Sequence, residues 1–216
     1  MVVQLDSDIW FPDPRNGEED GLFAVGGDLC IDRLLLAYSY GIFPWYAFRY
    51  HKEILWYCPM QRFIIYPSHI HISHSMRTLI NKNSYSITIN QAFDKVIDNC
   101  SRLRYSEEGA WLGKDIIKAY TELHEQGFAT SIEVWDSGTL IGGLYGVNIG
   151  YNFFGESMFS IKPNASKMAL IFLAKKMQSN GCGIIDCQFE TAHLKSMGGE
   201  YLSYDKYLEE IKRGIV

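Results

Sequence analysis

Two short blocks near the C-terminal end read as core strands: Gly155-Glu156-Ser157-Met158-Phe159-Ser160 and Ile184-Ile185-Asp186-Cys187-Gln188-Phe189-Glu190. Each carries a carboxylate where a core strand is apolar. Burying an unpaired charge costs several kcal/mol. A fold built on these strands must therefore pair the two charges or use them.

The surrounding pattern predicts a mixed α+β fold. Asn90 is expected to cap a helix running to about Arg102. A second helix runs from about Lys114 to Gln126, with Ile116, Ile117, Tyr120 and Leu123 at helical spacing, and stops at Gly127. Three strand-like segments follow: Thr130–Trp135, Leu140–Asn148 and Tyr151–Ser160. The first two are joined by the hairpin signal Asp136-Ser137-Gly138. Asn164 is expected to cap a helix to about Gln178. A strand at Gly183–Phe189 and a terminal helix from Ser203 to Arg213 complete the order. Residues 1–62 read differently, being rich in Gly, Pro and Trp. They show one good helix, from about Arg33 to Tyr40, with Asp32 as N-cap and Gly41 as its stop. The expected organisation is a small irregular domain over 1–62 and a larger α+β domain over 63–216.

Several function classes are disfavoured. The 5 cysteines are scattered without a C-x-x-C pair, which suggests neither a zinc site nor a disulfide framework and fits a reducing cytoplasm. The longest apolar run, Met168 to Ala174, is too short to span a membrane. The start Met-Val-Val-Gln-Leu-Asp has no basic stretch, so no signal peptide is expected. A formal net charge of −5 argues against non-specific nucleic-acid binding while leaving room for a local basic patch, such as Arg77 and Lys82 in His71–Asn83. The 6 histidines show no metal-ligand spacing.

The chemistry-bearing residues cluster. On a strand, Asp186 and Gln188 would share a face, because side chains two apart point the same way. There the carboxylate could hold the amide NH2 and leave the amide oxygen free as an acceptor. Glu156 lies on another strand, across a helical crossover. The plain alternative is that Asp186 and Glu156 cap backbone or pair with Lys167 or Lys175. Trp45 and Trp111 sit in loop-like contexts where a flat ring can stack on a base or plug a junction. The segment Ser160–Lys167 precedes a helix but has no glycine, so it makes a poor pyrophosphate cradle.

Taken together, the blocks match a known family. They are Phe11-Pro12, Gly26-Gly27-Asp28-Leu29, Gly41-Ile42-Phe43-Pro44-Trp45, Ile54-Leu55-Trp56, His71-Ile72-Ser73, Glu108-Gly109-Ala110-Trp111, Ser131 to Trp135, Gly142 to Gly146, Gly155 to Ser160, Asn164 to Lys167 and Ile185 to Gln188. The chain resembles the bacterial leucyl/phenylalanyl-tRNA–protein transferases, in order and over nearly its whole length. The resemblance implies a GNAT-like (N-acetyltransferase) fold for the larger domain. It implies transfer of Leu or Phe, with Met as a further donor, from aminoacyl-tRNA to the α-amino group of proteins beginning with Arg or Lys. That transfer marks the acceptor for degradation by the N-end rule pathway. It further implies no cofactor or metal, a cytoplasmic location, no membrane and a monomer.

For such an aminolysis, Asp186, Gln188 and Glu156 are expected to form the catalytic set: Gln188 accepts a hydrogen bond from the attacking amine, Asp186 orients Gln188, and Glu156 contacts either the acceptor's basic side chain or its amine. The resemblance also implies binding roles. Trp45 and Trp111 hold the terminal adenosine of the tRNA. Leu144, Phe153, Met158, Leu173 and Ile185 line the pocket for the transferred side chain. An acetyl-CoA-dependent acetyltransferase would need the glycine-bearing cradle that Ser160–Lys167 lacks. A non-catalytic RNA- or degron-binding module would not need Asp186 beside Gln188.

Overall fold

The computed structural model describes residues 2–45, 53–105, 113–181 and 183–215. Two sheets organise it. The first joins β1 (Val3–Leu5), β2 (Leu22–Gly26), β3 (Phe43–Trp45) and β4 (Leu55–Tyr57) in the order β1-β2-β4-β3. Its helix α1 (Ile31–Ser39) starts one residue before the expected cap: Cys30 occupies the N-cap, and Asp32 lies exposed in the first turn. Asp28 makes the turn into this helix, its Oδ1 accepting from Cys30 N at 2.9 Å. The sheet was not expected from the sequence. Its strands run only three to five residues, too short for alternation to show.

The second sheet uses β5 (Gln61–Ile65), β6 (Ser86–Ile89), β7 (Ala129–Asp136), β8 (Thr139–Ile149), β9 (Asn152–Ser160), β10 (Ile185–Asp186) and β11 (Glu200–Ser203). Their spatial order is β11-β5-β10-β9-β8-β7-β6. The expected meander is β7-β8-β9, with Ser137 and Gly138 both at positive φ in the first hairpin turn. Among the described pairs, β9 and β10 are the parallel neighbours of this otherwise antiparallel sheet. Helix α5 (Ala165–Asn180) makes the crossover between them.

Both faces of this sheet are covered, which is why its central strands read as apolar runs. Helices α3 (Phe93–Tyr105), α4 (Lys114–Glu125) and α7 (Tyr204–Arg213) pack on one face. Their core is continuous with that of the first sheet, running from Phe23, Leu34 and Trp56 to Tyr120, Tyr145 and Phe154. The other face is covered by α5, α2 (His74–Asn81) and α6 (Ala192–Ser196), around Ile132, Leu144, Phe153 and Ile185.

At two expected helix caps, Asn90 and Asn164, the capping bond comes from another side chain. Asn90 sits at φ 57, and its side chain accepts from Ser131 N at 2.9 Å, so it ties β7 to the approach to α3. The α3 end is met by the buried Glu133, which accepts from Gln91 N at 3.4 Å and from Thr88 and Ser131 hydroxyls at 2.5 Å. Asn164 occupies the N-cap of α5 at φ 71 without a capping bond from its side chain. Ser160 Oγ accepts from Ser166 N instead, at 2.8 Å.

Candidate active site

The site forms where β10 ends and β9 continues. The two strands pair at Ile185–Phe153 and Asp186–Phe154. Past Asp186 the chain follows β5: Cys187 N donates to Phe63 O at 2.9 Å and Phe63 N to Gln188 O at 3.4 Å. Gln188 then turns at φ 63, with Phe189 N donating back to Cys187 O at 2.7 Å. This is a γ-turn with a non-glycine residue in the left-handed region, a conformation that persists only when its surroundings hold it. The expected strand Gly183–Phe189 is thus cut to Ile185–Asp186. Asp186 and Gln188 meet through a turn rather than by strand alternation.

A β-bulge places the second carboxylate. Tyr145 pairs with Ser157 and Gly146 with Gly155, which leaves Glu156 as the extra residue of β9. The bulge changes the alternation: Phe154 and Phe159, five positions apart, both join the core on the α3/α4 face. Glu156 therefore faces α1 and α4. Gly146 opposite it has no room for a Cβ, which would lie 2.2 Å from Phe154 O.

Around these residues lies a cleft of about 390 Å³. Glu156, Asp186 and Gln188 all line it. Leu144, Phe153, Met158 and Ile185 form its apolar part together with Leu170 and Leu194, and Trp45 and Phe189 form an aromatic wall with ring centroids 5.7 Å apart. Leu173 lies one turn further along α5, about 4.5 Å of helix rise from Leu170. It lines a separate cavity of about 200 Å³ with Met177 and Tyr151. Trp111 and its block Glu108-Gly109-Ala110 lie outside the described residues.

The two carboxylates are held differently. Asp186, 1% exposed, forms a two-pronged pair with Arg62: Oδ1 accepts from Nε at 2.8 Å and Oδ2 from Nη2 at 2.6 Å. Oδ1 also accepts from Gln188 N at 2.9 Å, and Oδ2 from the Tyr207 hydroxyl at 2.7 Å. Burial works against the Arg62 charge, but Asp186 outweighs it and raises the guanidinium pKa. The lysines proposed as alternative partners, Lys167 and Lys175, make no such pair with either carboxylate.

Glu156 is 9% exposed, and among the described residues no cation is bonded to it. Its Oε1 accepts from the Tyr38 hydroxyl at 2.7 Å and from Gln188 Nε2 at 3.3 Å, and its Oε2 from the Tyr120 hydroxyl at 2.9 Å. The two phenol oxygens also touch each other, and with one proton apiece they can satisfy all three contacts only when the Glu156 carboxyl carries a proton of its own. Burial pushes the Glu156 carboxyl up to about 7, against the lowering effect of the two tyrosine bonds. The Gln188 amide is thus held by Glu156, its NH2 turned to that carboxylate and its oxygen left as an acceptor. Asp186 instead holds the Gln188 backbone.

Sequence reasoning missed Arg62, Tyr38, Tyr120 and Tyr207. Arg62 left only a weak mark: it stands at the edge of the apolar stretch Phe63-Ile64-Ile65, directly after Gln61, rather than within it as Glu156 and Asp186 stand within theirs. The tyrosines carry no such mark, because a Tyr on the apolar stripe of a helix reads as core.

The family described as Leucyl/phenylalanyl-tRNA protein transferase matches residues 64–212, and its N-terminal domain matches residues 27–60. A leucyl/phenylalanyl-tRNA–protein transferase of Flavobacterium psychrophilum is 44% identical over 210 residues, spanning 97% of this chain and 99% of that protein. One of Nitrosomonas eutropha is 46% identical over 200 residues, 92% of this chain and 85% of that protein. Among solved structures, a ribosomal-protein-alanine N-acetyltransferase from Brucella melitensis biovar Abortus 2308 is similar at a TM-score of 0.35 and 14% identity, over 47% of this chain and 77% of that one. That likeness is too distant to carry an argument.

Proposed function

Because the chain belongs to the leucyl/phenylalanyl-tRNA–protein transferase family, we propose that the cleft between β9 and β10 moves Leu or Phe, and also Met, from aminoacyl-tRNA to the α-amino group of proteins that begin with Arg or Lys. The product marks the acceptor for degradation. The observation that carries this reading is the Glu156–Gln188 pair, with an amide oxygen free to accept beside a carboxylate titrating near 7.

The reaction is aminolysis of an activated ester, so the protein must position the amine and manage one proton. An α-ammonium has a pKa of about 7.7–8.0. Glu156 lies close enough to that value to take its proton with little uphill cost. Gln188 Oε1 accepts a hydrogen bond from the resulting amine and aims its lone pair at the ester carbonyl. The C–N bond forms, the ester C–O bond breaks, and a second amine proton leaves with the ribose oxygen. Neither a metal nor a nucleotide is called for.

The transferred side chain enters the apolar part formed by Leu144, Phe153, Met158 and Ile185, where Met158 adapts to both Leu and Phe. Leu170 is a better lining residue than Leu173, given its place on α5. Trp45 is assigned to stack the terminal adenosine, with Phe189 beside it. Residues 63–216 are read as a GNAT-like catalytic unit, to which the smaller unit over 1–62 contributes Tyr38 and Trp45. The reaction is assigned to the cytoplasm, with the protein acting as a monomer. Among the described residues, no helix is long and apolar enough to cross a membrane.

The test is direct. The protein is incubated with labelled Leu-tRNA and peptides beginning with Arg, Lys or Ala. Label should appear on the first two alone; folded protein that labels none removes the reading.

A further inference from the structure

We propose that Arg62 and Tyr207 are positioning residues that hold Asp186 as a structural support for the Gln188 turn, so that Asp186 exchanges no proton with substrate. The inference rests on the aminoacyl-transfer reading above.

An ionised carboxylate has about four lone-pair sites. In Asp186 each is met: Arg62 Nε and Gln188 N fill Oδ1, and Arg62 Nη2 and the Tyr207 hydroxyl fill Oδ2. No site remains for an incoming amine. What Asp186 does is hold the backbone N–H of Gln188, the central residue of the turn that Phe189 N and Cys187 O close at φ 63. The turn carries the Gln188 side chain to Glu156.

The holding groups are themselves seated. The Arg62 guanidinium lies 4.7 Å from the Phe43 ring centroid and 5.0 Å from that of Tyr207. The Tyr207 ring packs onto Gly41, where an added Cβ would lie 2.3 Å from its Cε1. Gly41 is at φ 72, so a side chain there is disfavoured twice. The block Gly41-Ile42-Phe43-Pro44-Trp45 thus acts at a distance on the Gln188 turn, through Tyr207 and Arg62. The other titratable groups that feel the Asp186 charge are Cys58 before β5, Cys187 beside it in sequence and Glu156 on β9.

A support and a proton acceptor respond differently when their partners are weakened. The test measures transfer from Leu-tRNA to an Arg-peptide over pH 5.5–9 for the wild type, Tyr207→Phe and Arg62→Lys, with thermal unfolding of each. For Tyr207→Phe, kcat should fall about tenfold, the worth of one buried hydrogen bond. The fall should be equal at every pH, with KM for Leu-tRNA nearly unchanged. Arg62→Lys keeps the charge but loses the fork and should show a larger, equally parallel fall. An acid limb displaced to higher pH in either variant would make Asp186 the proton acceptor and overturn the proposal. Unchanged kcat with a lower unfolding temperature would reduce both residues to stabilisers and overturn it too. Absence of transfer by the wild type itself would instead remove the functional reading on which the proposal stands.

Discussion

Asp186 and Glu156 are buried carboxylates on adjacent strands, lining one cleft, yet their surroundings oppose each other. Asp186 meets a guanidinium that matches its charge and geometry. Glu156 meets two phenols and an amide, which offer hydrogen bonds without a neutralising charge. Burial costs both, but among the described residues only Asp186 has a counter-charge bonded to it. For Glu156 the two tyrosine bonds and the more distant Arg62 offset burial only in part, and the carboxyl is pushed up to about 7. In the proposed mechanism the type of partner, rather than the type of acid, divides support from proton acceptor.

The comparison breaks most visibly at Arg62. Arg62→Met would leave Asp186 buried without its cation and should cost about 3–5 kcal/mol of stability, measured by urea unfolding at pH 7. A loss below about 1 kcal/mol would mean that Asp186 is no more dependent on a counter-charge than Glu156 is.

Glu156→Gln tests the other side. The carboxyl titrates higher in the fold than its reference value of 4.5. Its contribution therefore favours the fold below about pH 4.5 and is lost as pH rises through about 7. Relative to wild type, Glu156→Gln should gain on the order of 2–3 kcal/mol between pH 4.5 and pH 8. Unfolding curves at both pH values with no relative gain would mean that Glu156 is not strained by burial. The same variant should lose most of its transfer activity.

The smallest expected effect concerns the phenols. The Tyr120 hydroxyl favours the ionised Glu156. Tyr120→Phe should move the acid limb of the pH–rate profile up by up to about one unit. Tyr207→Phe, at the matching position on Asp186, should leave that limb in place. Identical profiles for the two variants would dissolve the distinction between the sites.

The fold was legible wherever elements were long. The hairpin β7-β8, strand β9 and helices α4 and α5 follow periodicity and turn chemistry, and appear within a residue or two of expectation. The first sheet was illegible because three-residue strands such as Phe43–Trp45 carry no period. Caps misled where another partner, distant or close in the chain, took over the bond. Asn90 bonds Ser131, and Ser160 reaches over Asn164 to the α5 end. At the site, the conflict between charge and apolar strand correctly marked Glu156 and Asp186. The inferred strand geometry at Gln188 was wrong, because no local signal announces a non-glycine residue at φ 63 that is held in place by Asp186.

By itself, the sequence determined that two acids would be buried beside an amide, that the scaffold would be a mixed α+β sheet, and which family the motifs resemble. Those follow from residue type and local period, which survive without knowledge of contacts. The tertiary structure decided which acid received a guanidinium and which received phenols. Arg62 reaches Asp186 across 124 positions, and Tyr38 reaches Glu156 across 118. Pairings at that separation are set by how sheets and helices pack, and through them by the dielectric and hydrogen bonds each carboxylate experiences.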